Sequence, residues 1–139
     1  MDDQRPVISL SDETLWGLPG ATVEGSLPGA EAFSATPLLT LLRASTALDP
    51  EAIALVSRTA SLCYADLLRL ARNAACAIAE RVPPDQTVAC LLPRSPEGVA
   101  ALLGCLISGR LCMVLDQANP AERQALLLAD ARPGLLLLA

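Results

Sequence analysis

The 139-residue sequence predicts an α/β fold, a partial, doubly wound, mainly parallel sheet with flanking helices, preceded by a flexible N-terminal arm. Three observations point there. Residues 87–116 read as strand, helix, strand, and two buried strands joined by a helix run parallel, because the crossover returns the chain to the same edge of the sheet. Helical and strand-like stretches keep alternating on both sides of that unit. The chain is also 53% hydrophobic with a mean hydropathy of +0.45, as expected when helices and strands are buried on both sides. Aromatic residues make up only 2%, so the core has to be built from Leu, Ala, Val and Ile.

Taken in order, residues 1–35 interleave Gly17, Gly20, Gly25 and Gly29 with Pro6, Pro19 and Pro28 and show no sustained periodicity. They are expected to form an extended or disordered arm, anchored if anywhere by Leu15, Trp16 and Leu18. These glycines do not make a phosphate loop: no strand precedes them, no lysine follows, and Glu24 and Glu31 would repel phosphate. Thr36 and Pro37 cap and open a helix to about residue 47, with Leu38, Leu41 and Leu42 on its apolar face and Leu48 beyond. Residues 52–56 form a short strand, 57–60 a turn, and 61–63 a second strand that can pair back. The helix at 65–81 is amphipathic, with Leu67, Leu70, Ala71, Ala74, Ala75 and Ile78 on one stripe. Asp66, Arg69, Arg72, Asn73 and Glu80 lie opposite, and Pro83-Pro84 ends it.

The strand at 87–92 is stopped by Pro93, which has no N–H to give a ladder. Ser95, Pro96 and Glu97 supply an N-cap, a first-turn proline and an acid at the positive end of the next helix. That helix runs through residue 108, and Gly109 suits the left-handed position that ends it. A strand follows at 111–115, finishing at Asp116. Asn119 and Pro120 then repeat the cap-and-proline pattern before a helix to about residue 131, with Arg132 at its negative end and Pro133-Gly134 stopping it. Residues 135–138 read as one more buried strand. The sequence ends one residue later, so the sheet is expected to be unfinished.

Charge and cysteine content exclude several functions. Fifteen acids against ten basic residues give a net charge of −5, and all ten basic residues are arginine, spread from Arg5 to Arg132 without a stripe or aromatic neighbours. No nucleic-acid partner is expected. The uncharged run 98–109 is far short of the ~20 residues that span a bilayer, and the first residues lack the apolar core of a secretory signal, so no membrane partner and a cytoplasmic address are expected. Cys63, Cys76, Cys90, Cys105 and Cys112 include no short-spaced pair, and histidine is absent; they read as reduced core hydrophobes rather than zinc ligands or a disulfide framework.

Leu62-Cys63-Tyr64-Ala65-Asp66-Leu67 resembles the Leu-Thr-Tyr-Ala-Glu-Leu core motif of the adenylate-forming (AMP-binding) superfamily. Leu106-Ile107-Ser108-Gly109-Arg110-Leu111-Cys112-Met113-Val114-Leu115-Asp116 is similar to that superfamily's Leu-Lys-Ala-Gly-x-Ala-Tyr-Val-Pro-Leu-Asp motif. Asn119-Pro120-Ala121-Glu122-Arg123 stands where Tyr-Pro-x-Glu-Arg would follow, and Leu92-Pro93-Arg94-Ser95-Pro96-Glu97 resembles the approach to the second motif. The resemblance runs from about residue 37 to 138 and is nearest to the adenylation domains of nonribosomal peptide synthetases. It implies 1–35 as an irregular arm and 36–139 as a partial N-terminal subdomain. It departs where the capping Thr and Glu become Cys63 and Asp66, a weaker pair, and where specific side chains give way to Ile107, Met113 and Val114.

In that superfamily the resemblance implies a phosphate loop with a lysine, an adenine-binding motif, a ribose-binding aspartate and a C-terminal catalytic lysine, all beyond residue 139. Activating a carboxylate with ATP needs positive charge where charge develops on phosphate, and this chain has no lysine and no histidine. The expectation is a non-catalytic N-terminal part of an acid-activating ligase, a remnant or one part of a split enzyme. No catalytic, cofactor-binding or metal-binding residue is expected; ATP and Mg belong to the complete enzyme, and the partner is the missing remainder or a second copy. An interaction module with an incomplete sheet, and a small-ligand binder at the strand ends near Arg94 and Asp116, stand as alternatives. Tyr64 is expected to pack at a helix start, Asp116 to order a turn, Glu122 and Arg123 to serve their helix and surface, and Arg94 to be solvated or packed on a helix.

Overall fold

The parallel pairing expected for residues 87–116 is present in a computed structural model of the chain, which describes residues 7–9, 37–58 and 60–138. In chain order the elements are β1 (Val7–Ser9), α1 (Pro37–Leu48), β2 (Ile53–Val56), β3 (Ser61–Cys63), α2 (Tyr64–Arg81), β4 (Thr87–Leu91), α3 (Pro96–Ile107), β5 (Leu111–Val114), α4 (Ala121–Ala131) and β6 (Leu135–Leu138). Four strands form a sheet in the order β1-β6-β4-β5, with every pairing parallel. Thr87 lies opposite Leu111 and Val88 opposite Leu135. Strands β2 and β3 form a separate antiparallel pair, closed by the Ser57 N–H donating to the Ala60 carbonyl at 2.8 Å. The fold is thus mixed α/β, with a mainly parallel sheet flanked by helices.

Two apolar clusters hold it together. The first joins sheet to helices: Val88, Cys90, Leu135 and Leu137 meet Ala77, Ile78, Ala101 and Cys105. The second lies between helices, where Leu39 and Leu42 of α1 meet Leu67, Leu68 and Ala71 of α2 and Leu103 and Ile107 of α3. Near the helix ends, Arg110 is buried and donates from Nε and Nη2 to the Val82 carbonyl at 3.1 and 2.8 Å, and from Nη1 to the Ser108 carbonyl. Its charge therefore sits against carbonyls at the negative ends of α2 and α3.

Several details differ from the sequence reading. Helix α1 buries Leu39 and Leu42, leaving Leu38 and Leu41 53% and 66% exposed, because four leucines in five positions let either edge of the stripe face α2. Asn73, assigned to the polar side of α2, is buried, since α2 is covered on more than one side. The N-cap of α4 is Pro120, with no side-chain cap, instead of Asn119, whereas Arg132 does sit at its negative end, as the left-handed C-cap (φ 44°). The tetraleucine strand β6, read as buried, lies inside the sheet between β1 and β4. Val7–Ser9, within the stretch expected to be an irregular arm, pairs with β6 as a strand. Thr36, Leu15, Trp16, Leu18 and the glycines of residues 17–29 fall outside the described residues. Among the described residues no helix is long and apolar enough to cross a membrane.

Candidate functional site

Strand β4 cannot continue past Leu92 because Pro93 lacks an N–H, and the chain turns sharply into α3. The Ser95 N–H donates to the Pro93 carbonyl at 2.9 Å, and the Ser95 hydroxyl accepts from the Gly98 N–H at 3.1 Å. A Cβ on Gly98 would lie 2.5 Å from the Pro93 oxygen, so this tight entry requires glycine there. Beside it, the Leu115 N–H donates to the Cys90 carbonyl at 2.8 Å, prolonging the β4–β5 pairing by one residue. Asp116 follows, and its Oδ1 accepts the Ala118 N–H at 2.9 Å, the turn-ordering role expected of it.

These turns, together with Leu55 and Val56 of β2, enclose a cleft of about 850 Å³ at the carboxyl ends of β4 and β5. Arg94 and Asp116 both line it, as a strand-end site in an open α/β sheet would have it. Its walls are mostly apolar (Leu92, Val99, Leu102, Val114, Leu115). One exposed guanidinium and one exposed carboxylate can orient a small polar ligand, but they do not make a nucleophile–base pair. Tyr64 does not reach the cleft; it is half-buried at the start of α2 against the interhelical cluster, its N–H donating to the Ala52 carbonyl at 3.0 Å. Glu122 and Arg123 are exposed in the first turn of α4, away from the cleft lining.

Beneath the cleft lies a group that the sequence reading passed over. Among the described residues, Cys90, Cys105 and Cys112 are the one set of three or more His, Cys, Asp or Glu side chains close enough to share an ion. The Cys90 sulfur is 3.8 Å from that of Cys105 and 3.4 Å from that of Cys112. The neighbouring thiols, Cys105 first and then Cys90, hold Cys112 below the usual thiol range against the opposing effect of burial. Cys105 is pushed up by its contacts with Cys112 and Cys90, then by burial. Cys105 lowers Cys90, but Cys112 and burial outweigh that and push it up to about 12. The available signal was strand alternation: Val88 and Cys90 on β4, Cys112 on β5 and Leu135 and Leu137 on β6 share one sheet face.

A sequence model of the family described as AMP-binding enzyme matches residues 42–139, from α1 to the end of β6. The chain belongs to the AMP-binding enzyme family. Within it, the chain is similar to a dimodular nonribosomal peptide synthase of Bacillus subtilis (strain 168), at 44% identity over 92 residues. That alignment covers 66% of this chain and 4% of the synthase. A probable non-canonical nonribosomal peptide synthetase of Salinispora arenicola, CymA, is 35% identical over 126 residues, covering 90% of this chain and 2% of that protein. Among solved structures, the nonribosomal peptide synthetase FmoA3 in an AMPPNP-bound form superposes with a TM-score of 0.65 at 32% identity, over 70% of this chain and 11% of that one. The chain therefore corresponds to a small part of a larger AMP-binding module, and its matched portion includes both the cleft and the cysteine cluster.

Proposed function

We propose that this chain supplies the opening scaffold of an ATP-dependent, acid-activating ligase of the peptide-synthetase kind and carries out no adenylation by itself. The observation that carries the reading is the match of α1 to β6 with the AMP-binding family in a chain with no lysine and no histidine. Stabilising the charge that develops on a transferring phosphate requires cationic groups in place, and among the described residues that line the cleft Arg94 is the one cation, with Asp116 also in the lining. In this reading residues 1–35 form the arm and 36–139 the partial subdomain. ATP and Mg2+ are handled by the rest of the ligase, in the same polypeptide or another. The partner is that remainder, or a second copy. Free thiols at all five cysteines fit a reducing cytoplasm.

The size of the cleft, about 850 Å³ between Arg94 and Asp116, favours one second reading, a small-ligand binder at the strand ends. A single pair of measurements separates the two. Carboxylate-dependent ATP–pyrophosphate exchange by the purified chain, with the twenty amino acids as substrates, is expected to stay at the blank level. Thermal melts with and without ATP are expected to coincide. Exchange above blank overturns the scaffold reading, whereas an ATP-dependent rise in melting temperature without exchange selects the binder.

A further inference from the structure

Cys90, Cys105 and Cys112 come from β4, α3 and β5 and converge on the sheet face that α3 covers. The three side chains are close neighbours in space though far apart in sequence. All three are free thiols in non-bonded contact, at 3.8 Å for Cys90–Cys105 and 3.4 Å for Cys90–Cys112. Cys112 is paired opposite Val88, not Cys90, so a Cys90–Cys112 bridge would run diagonally across the strands.

The geometry fits a shared ion. With metal–sulfur bonds of ~2.3 Å, three sulfurs around one centre stand about 4 Å apart in a planar trigonal arrangement. Here the three sulfurs all lie within 4.8 Å of one another. Val88, Ala101, Leu102 and Leu137 belong to the same cluster, and their side chains offer no oxygen or nitrogen donor. Histidine, the usual partner of cysteine in mixed zinc sites, is absent from the chain. An all-sulfur, three-ligand site suits a soft monovalent ion better than zinc, which prefers four ligands, or the oxygen-seeking Mg2+ and Ca2+. Cys90 also lines the cleft, which supplies the entry path.

We propose that Cys90, Cys105 and Cys112 form a three-coordinate, all-sulfur site for Cu(I). Each copper–sulfur bond forms as a thiol releases its proton to solvent through the cleft, and the metal keeps its oxidation state throughout.

The test is an anaerobic titration of the reduced, full chain with Cu(I) against a chromophoric Cu(I) chelator, followed by X-ray absorption. One equivalent held against the chelator, with three sulfur neighbours at a single distance, is expected. Cys112→Ser, at the half-buried corner of the cluster, should weaken binding by at least the roughly 10–100-fold that loss of a mere outer-sphere partner costs. The Cys63→Ser/Cys76→Ser double variant should bind as the parent does. Complete stripping of copper by the chelator overturns the proposal. So does a loss in the double variant equal to that in Cys112→Ser, which means capture by any available thiols. Should Cys112→Ser lose its helical circular dichroism, the parent's absorption spectrum decides: two sulfurs, or sulfur mixed with lighter ligands, overturns the assignment.

Discussion

Gly104 brings α2 and α3 together. A Cβ built on it would sit 2.6 Å from the Ala74 Cβ, 3.0 Å from the Ala71 carbonyl oxygen and 3.1 Å from the Ala75 nitrogen. Two of these three neighbours are backbone atoms of a helix buried on that side, so a side chain there has to push the helices apart. Gly104→Val is expected to cost about 1–3 kcal/mol, the usual range for overpacking a filled core. Urea unfolding should show a lower midpoint at unchanged slope, and an unchanged midpoint would mean that the helices separate freely. Arg110 makes the complementary point about legibility. Between Gly109 and a strand it reads as an ordinary surface arginine, yet it is only 9% exposed and bonded to the Val82 and Ser108 carbonyls. Val82 is 28 residues away in sequence, so no local pattern could show that contact.

At the scale of the element, the start of α3 was the most legible feature, because a cap is a short-range device. Ser95 caps α3 through a hydroxyl at 3.1 Å, as its position before Pro96 and Glu97 foretells. Helix α2 opens on a poorer cap. The Cys63 sulfur accepts the Asp66 N–H at 3.5 Å, and sulfur is a weak acceptor. Cys63→Thr should therefore stabilise the chain by about 0.5–1 kcal/mol, while Ser95→Ala should destabilise it by about 1 kcal/mol. Thermal melts of the two variants are expected to shift in opposite directions. A downward shift for Cys63→Thr would show that the thiol matters for packing and not for the cap. The face of α1 was less legible. Leu38, Leu39, Leu41 and Leu42 satisfy helical spacing from either side, and only the position of α2 selects Leu39 and Leu42.

For the whole molecule, the consequence of strand order is an exposed edge at β5. Leu111 is 73% and Val114 65% exposed there, and among the described residues no strand pairs with the outer side of β5. Val56 of β2, 79% exposed, adds to the apolar surface around the cleft mouth. The chain is expected to self-associate through this edge. The Leu111→Lys/Val114→Lys variant should shift the mass seen by light scattering towards a single copy, because edge lysines oppose strand pairing. Equal masses for variant and parent would rule the edge out as the contact.

Periodicity, proline positions and caps are local properties of the chain, and they suffice to specify the βαβ unit, the boundaries of most elements and the superfamily resemblance. The placement of β6 between β1 and β4, the inward face of α1, the burial of Arg110 and the meeting of three distant cysteines depend on which elements become neighbours. That choice is made by burying apolar area shared among segments far apart in the chain, and no window of sequence contains it.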